Sequence, residues 1–446
     1  MTVIRDPIWQ NIWIEPIALR LIDTAAFQRL RRVKQLGLAY LVYPGAIHSR
    51  FDHALGVYHL AGRALRLLER SGELAAVAER ERAILPLAGL LHDIGHYPFS
   101  HTLEELETGL VPGDHEQIAG EFLADREVAA ALEPLGSETA REIHNLILGR
   151  SASALQGLVS GSLDLDKIEY LKRDAVFCGV PYGEIDVDRL LDSLRLARDP
   201  ESGHLEVGVA VQGIAALESL LFAKYQMFRN VYWHHAVRAA SVTFQRLIRE
   251  ALTGGWAARQ HIVGSGDEEV LSALDALAAG SESESARRAR GWLIPALRHR
   301  RLPKRAAEWR GDALTDALTR LQREVAPWLH ARPELRSALE DHLAQELGLE
   351  PGHLFLDYPA KPSMLELDIL MLGRDGSVQR LTGAGRAGLI DLPRLGRDLY
   401  HAARVLRVFT WPRTELREPE RILELVTAPE SEIVELVGQP EPDSSG

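Results

Sequence analysis

The twelve residues LLHDIGHYPFSH, 90–101, constrain this chain more than any other stretch. They set His92 beside Asp93 at the end of an apolar helical run, LPLAGLL, and follow the pair with His96 and His101. Neighbouring residues on a regular helix point about 100° apart, so both can grip one ion only across the helix surface or where the helix ends. Gly95 and Pro98 supply that ending. Seven of the 17 histidines fall between His48 and His115, less than a sixth of the 446 residues. Histidine is the commonest metal ligand and the usual proton carrier near neutral pH, so the cluster points to a metal or acid–base site rather than to packing. Imidazole nitrogen with carboxylate oxygen makes a borderline-to-hard shell, suited to a divalent Mn, Mg, Fe, Ni, Co or Zn ion. Two ligands are too few, so others must arrive from distant sequence.

Two more segments offer them. HSRFDHALGVYHLAG, 48–62, places His53 near the start of a helix with Arg50 three residues before it. GSLDLDKIEYLKRDAVFCG, 161–179, alternates Asp164 and Asp166 and continues with Lys167, Tyr170, Lys172, Arg173 and Asp174. Taken alone, such an acid–base mixture reads as a solvated helix face; its weight comes from its company.

Composition narrows the partners. Lys plus Arg is 51 and Asp plus Glu is 63, a net charge of −12, opposite to what a general nucleic-acid coat or membrane-surface protein carries. An anionic ligand must be drawn in by a local basic pocket. Cys178 is the single cysteine, which excludes an intrachain disulfide and a four-Cys zinc site and fits a reducing, cytoplasmic location. Arg5, Asp6 and Pro7 interrupt the N-terminus where a signal peptide needs an apolar core, and no apolar run reaches the roughly 20 residues of a spanning helix.

Helical periodicity runs through most of the first 350 residues. It predicts helices near 16–35, 52–70, 79–93, 114–125, 137–148, 164–176 and 186–196, with a long one over 212–252. Asp114 with Gln117 resembles a reciprocal N-cap, and Ser137 a plainer one. From about 354 the runs shorten to LFLDYP, MLELDILML and SVQRLT, the last two joined by the turn Arg374-Asp375-Gly376, which predicts strands. The expected fold is mainly α with a small C-terminal α+β domain: a helical core over 1–260, a helical extension with a basic cluster (Arg298, Arg300, Arg301, Lys304, Arg305) over 261–350, an α+β unit over 351–436, and a disordered tail over 437–446. The basic cluster fits a regulatory triphosphate, a subunit or single-stranded nucleic acid, the last weakened by the absence of interleaved aromatics.

In this order, DTAAFQRLRRVKQLG, YPGAIHSRFDHALGVYHLAG, LLHDIGHYPFSH, DHEQ and DLDKIEYLKRD resemble the HD-domain metal-dependent phosphohydrolases, and more narrowly the deoxynucleoside triphosphate triphosphohydrolases. The resemblance spans about residues 3–240. It implies His53, His92, Asp93 and Asp166 as metal ligands, with Asp166 preferred over Asp164 because the family uses the aspartate directly before the lysine. It implies catalytic or phosphate-facing roles for His96, His101 and His115. Glu104 stands where the family usually shows Asp and lies three residues from His101, within reach to orient and charge that imidazole. It further implies Gln35, Leu36, Arg50, Lys167, Tyr170, Asp174, Lys224, Tyr232 and His234 as substrate-binding groups. Lys224 stands where a family arginine is common, and Trp233 replaces a base-contacting glutamine. Asp23, Gln28 and Arg31 match residues that read an activating guanine nucleotide in regulated members, while Thr2 and Arg5 depart from that site. The implied activity is cleavage of a dNTP at the α-phosphate to deoxynucleoside and inorganic triphosphate, by a homotetramer or dimer. Two alternatives keep the same residues: an HD site acting on nucleoside monophosphates, cyclic nucleotides or nucleic-acid ends, and a non-enzymatic nucleotide-binding regulator.

Overall fold

The computed structural model describes residues 2–106, 110, 113–359, 368–381 and 392–438. It is mainly α, and three helices frame its centre: α3 (Arg50–Arg70), α4 (Glu79–Leu91) and α9 (Leu165–Cys178). Ser49 starts α3 with a reciprocal cap, its side chain accepting from Asp52 N while Asp52 accepts from Ser49 N, which satisfies two otherwise orphaned donors. Asp164 caps α9 by accepting from Lys167 N at 2.9 Å, and Gly179 ends it in the left-handed conformation, φ 68°. The first half of α3 is buried on opposite sides, with Phe51, Leu55 and Tyr58 on one and His53 and Leu60 on the other, and the helix packs against α4 and α9.

Ahead of α3 lie a hairpin of β1 (Thr2–Asp6) and β2 (Gln10–Ile14), then α1 (Pro16–Ile22) and α2 (Ala25–Gln28). The single helix expected over 16–35 is therefore broken. Thr24 breaks it: its hydroxyl donates to Leu21 O at 2.7 Å and accepts from Phe27 N, closing one helix and capping the next. After α4 come α5 (Ser100–Leu103), α6 (His115–Leu123), α7 (Arg126–Leu132) and α8 (Thr139–Ile147). Asp114 caps α6, accepting from Glu116 N at 3.1 Å. Ser137 does not cap α8, whose N-cap is Glu138 without a side-chain bond.

The helix expected over 186–196 stops early as α10 (Val187–Asp192), and its last residues turn into β3 (Leu194–Arg198), antiparallel to β4 (Leu205–Ala210). The long helix expected over 212–252 runs as α11 (Ile214–Met227), a π-helical turn over Phe228–Tyr232, and α12 (His235–Thr253). Beyond it lie α13 (Asp267–Ala279), α14 (Glu284–Arg288), α15 (Ile294–Arg298), β5 (Lys304–Arg310), further helices up to Glu346, then β6 (Leu354–Asp357), β7 (Ile369–Leu372), β8 (Val378–Leu381) and β9 (Val405–Thr410).

The strands expected beyond 354 form, but in company from elsewhere. Apart from the β1–β2 hairpin, two sheets form, one of order β3-β4-β7-β8 and one of order β5-β9-β6, with β4 and β7 parallel. Each sheet therefore joins strands from two of the parts into which composition divides the chain. Part of the basic run lies in β5, which stood inside the expected helical extension. The tail from 439 on lies outside the described residues. Among the described residues no helix is long and apolar enough to cross a membrane.

Candidate metal centre and active site

Three helices deliver the four residues implied as ligands. His53 lies in the first turn of α3, Asp166 in the first turn of α9, and His92 and Asp93 directly follow Leu91, the last residue of α4. His53 Nε2 lies 3.2 Å from His92 Nε2 and 2.9 Å from Asp166 Oδ1. His92 Nε2 is 3.6 Å from Asp166 Oδ1 and 3.2 Å from Asp93 Oδ1. Ligand atoms of His53, His92 and Asp166 all fall within 4.8 Å of one another. The helix end that lets the adjacent pair converge comes from the turn after Leu91, with Ile94 N donating to Leu91 O at 3.0 Å. It does not come from a left-handed Gly95, whose φ is not positive. Gly95 serves a different purpose: a Cβ there would lie 2.1 Å from His115 O and 2.4 Å from Ala119 N, so its bare backbone lets α6 pack on the loop.

Hydrogen bonds behind the rings fix what the front can do. His53 Nδ1 donates to Glu169 Oε2 at 2.6 Å and His92 Nδ1 donates to Gly89 O at 2.8 Å. Each neutral ring then turns an Nε2 lone pair inward, and two such lone pairs at 3.2 Å repel unless a cation lies among them. A proton can serve as that cation: burial disfavours a charged His53, yet Asp166 at Nε2 and Glu169 at Nδ1 prevail over it and push the pKa up to about 10, with both ring nitrogens then protonated. The pocket's field thus favours positive charge at this point. Two imidazoles with second hydrogen bonds, plus carboxylates, fit a divalent ion such as Mn, Mg, Fe, Ni, Co or Zn.

Asp93 links this centre to a second row. Its Oδ2 accepts from Arg50 Nη1 at 2.6 Å, and its Oδ1 lies 3.1 Å from His96 Nε2. Burial opposes ionisation of Asp93, but His92, Arg50 and His96 hold it well below the usual carboxylate range. His96, anchored by a 2.6 Å contact between Nδ1 and Ser100 Oγ, stacks on His115 with centroids 3.6 Å apart. Burial, with Arg50 and His115 nearby, holds His96 well below the usual imidazole value and so neutral. Glu104 bridges two donors, accepting from His115 Nδ1 at 2.9 Å and His101 Nδ1 at 3.1 Å. Burial opposes its charge, but both histidines draw its pKa far down.

Two turns further along α9, Asp174 accepts from Tyr232 OH at 2.6 Å and pairs with His48 Nε2 at 2.8 Å. The Tyr170 and Tyr232 rings meet edge to face at 6.4 Å. Gln35, whose N donates to His48 O at 3.0 Å, is buried with Oε1 unpaired, and Leu36 is half-buried beside it. Lys167 is engaged locally, its Nζ donating to Asp164 and, at 2.9 Å, to Gly161 O. Lys224 is buried on α11. His234 caps α12 through Nδ1, accepting from Ala236 N at 3.3 Å, and Trp233 is buried against Phe228 and Tyr400. Of the residues implied as regulatory, Gln28 binds Ile22 O and Arg31, Arg31 also lies over the Phe51 ring, and Asp23 is exposed. Three residues of the basic run, Arg300, Lys304 and Arg305, line a pocket of about 250 Å³ with His235, Ala236, Leu302, Pro303 and Arg413. Arg298 points elsewhere, to Asp275 at 2.6 Å.

A model of the HD domain matches residues 50–168, and one of the HD associated region matches residues 185–385. The chain carries an HD domain followed by an HD-associated region. Curated relatives match about half of the chain. An uncharacterised protein of Methanocaldococcus jannaschii is 37% identical over 249 residues, 56% of this chain and 49% of that protein. The deoxynucleoside triphosphate triphosphohydrolase SAMHD1 of Gallus gallus is 35% identical over 247 residues, 46% and 40% of the two chains. The matched region spans about half or less of these relatives. Among solved structures, a Bacteroides thetaiotaomicron phosphohydrolase shares the fold at TM-score 0.69 and 21% identity, over 92% of this chain and 99% of that one. A hypothetical protein of Aquifex aeolicus gives 0.66 at 27% identity, over 96% and 98%.

Sequence reading of the HD segment missed Glu169, Ser100 and the pairing of His48 with Asp174. A signal for Glu169 was present: Asp166, Glu169 and Arg173 recur at i, i+3 and i+7, one face of a helix.

Proposed function

We propose that this HD domain hydrolyses deoxynucleoside triphosphates at the α-phosphorus, releasing deoxynucleoside and inorganic triphosphate. The reading rests on one juxtaposition: the His53, His92, Asp93 and Asp166 cluster adjoins the His96, His115, Glu104 and His101 row through Asp93, with Arg50 buried at the junction. A divalent cation held by the first four residues would supply neutralisation of phosphoryl charge and acidification of water. The chain's own groups do the rest. Arg50, fixed against Asp93, adds positive charge where phosphoryl oxygens lie, and in a site that excludes water such charge counts most. Neutral His96 and the stacked His115 orient the reacting groups. His101, held by Glu104 at 3.1 Å, protonates the departing 5′-oxygen, a contribution of typically 10²–10⁴-fold. Lys167 joins substrate binding by leaving Asp164. The pair Tyr170 and Tyr232, with Asp174, forms the sugar side, where an aromatic ring in place of a 2′-hydroxyl partner rejects ribose.

Purified protein incubated with each dNTP and NTP across Mg, Mn, Fe, Co and Ni, with products resolved by ion chromatography, tests the reading. Inorganic triphosphate from dNTPs is expected; orthophosphate or pyrophosphate instead would assign the site to another phosphoester. A nucleotide activator is favoured by the cationic pocket of Arg300, Lys304, Arg305 and Arg413, more than by Asp23, Gln28 and Arg31. Saturating dATP hydrolysis with and without GTP tests it, an unchanged rate at all substrate concentrations counting against it. A homo-oligomer, dimer or tetramer, is part of the same proposal and is read from light scattering with and without nucleotide.

A further inference from the structure

Glu169 carries a carboxylate with no solvent exposure, a costly placement unless its oxygens are fully engaged. They are. Oε1 accepts from Trp9 Nε1 at 2.8 Å and from Arg173 Nε at 2.8 Å, which leaves Oε2 to His53 Nδ1 at 2.6 Å. Arg173, equally buried, donates in turn to Asp6 Oδ2 at 2.9 Å. The other oxygen of Asp6 accepts from Ile8 N and Trp9 N, both at 2.8 Å, and so shapes the turn that presents Trp9. The circuit closes on itself: Asp6 orders the β1–β2 turn, the turn delivers the indole, and indole and guanidinium together pin Glu169. Gly56 makes room for it, because a Cβ there would stand 2.0 Å from Glu169 Oε1. Two carboxylates against one guanidinium leave one negative charge over, directed at the back of the His53 ring.

We propose that Glu169 is a positioning residue for the metal centre, and that the N-terminal hairpin sets its position through Asp6, Trp9 and Arg173. The inference rests on reading His53 as a metal ligand. Held in this way, His53 keeps its proton on Nδ1 and its lone pair on Nε2, facing His92 and Asp166, and the excess negative charge makes it a stronger donor. The hairpin is then part of the centre although its residues touch no ligand atom there.

The test is Mn(II) titration of the whole chain by electron paramagnetic resonance, alongside circular dichroism and ¹⁵N shifts of the histidine rings. E169Q is expected to weaken Mn(II) binding 10–100-fold, the range for losing an outer partner of a ligating histidine, and to redistribute the His53 proton between its nitrogens. W9F keeps the packing of the ring and removes only the indole N–H, and it is expected to weaken binding by a smaller factor. Unchanged affinity in folded E169Q overturns the proposal, and unchanged affinity in W9F overturns the role of the hairpin; should E169Q fail to fold, W9F decides. D166A separates this from the reading beneath it. If wild type binds no divalent ion, or D166A binds as well as wild type, the metal site itself is wrong. If D166A abolishes binding and E169Q does not alter it, only the positioning role falls.

Discussion

Replacing Gly95 by alanine adds one methyl group where α6 presses on the loop after Asp93. That methyl would meet His115 O at 2.1 Å, Ala119 N at 2.4 Å and Ala119 Cα at 2.9 Å. All three are backbone atoms, so no side chain can swing aside. Reaching ordinary contact, 3.4 Å or more, requires α6 and the loop to separate by about 1.3 Å. The stability cost is that of overpacking, about 1–3 kcal/mol, and a domain of this size can survive it. The larger effect falls on chemistry. His115 opens α6, stacks on His96 and shares Glu104 with His101, so the displacement opens that row. A misplacement of about 1 Å costs on the order of 10²-fold in rate. His53, His92 and Asp166 come from α3, the end of α4 and α9, and should still bind metal. The assay is kcat for dATP hydrolysis beside Mn(II) affinity, with G95A expected to lose about 10²-fold in kcat and little in affinity. A folded G95A enzyme with wild-type kcat would refute the argument that α6 must sit this close for the histidine row to work.

Three further outcomes follow from the described geometry. Chelation should abolish hydrolysis and lower thermal stability, and a divalent ion returned at 100 times its Kd should restore about 2.7 kcal/mol, read as a melting shift. Glu340 is fully buried, and that burial outweighs Arg336 and Arg246 to push its pKa up to about 7 from 4.5. The stability it allows is therefore complete below pH 4.5 and is lost as pH rises through 7, about 3 kcal/mol in all; guanidinium unfolding at pH 5 and 8 should show this fall in wild type and not in E340Q, and identical pH dependence would count against it. Arg238 donates to Asp357 at 2.9 and 2.7 Å and to Glu105 at 2.9 and 2.8 Å, so R238A leaves a buried carboxylate underpaired and should cost about 3–5 kcal/mol by the same unfolding assay.

The residues of the centre were legible because their chemistry is rare in combination: a His-Asp doublet, a histidine at a helix start and an aspartate before a lysine carry no packing logic of their own. Helix α3 was legible from its periodicity. What sequence hid were groups whose partners lie far along the chain. Glu169 in isolation is an ordinary helix carboxylate, and only burial beneath Trp9 and against His53, 160 and 116 residues away, gives it meaning. The strand β5 was hidden because KRAAEWR has no alternation strong enough to outvote its charges, and it forms by pairing with β9. The break at Thr24 and the π turn before Trp233 were hidden for a different reason: a local hydrogen bond or one inserted residue overrides a periodicity that continues on both sides.

The parallel pairing of Gly208–Ala210 with Leu370–Leu372 bears on how the chain is born. Until β7 leaves the ribosome, β4 stands as an open edge with only β3 beside it, and 162 residues separate Ala210 from Leu372. At about 5–20 residues per second that edge waits roughly 8–30 s, bare to any other nascent strand. Every ligand of the centre is synthesised long before the sheet that closes the molecule, so nascent-chain quality control has a window in which a nearly finished active site sits on an unfinished fold.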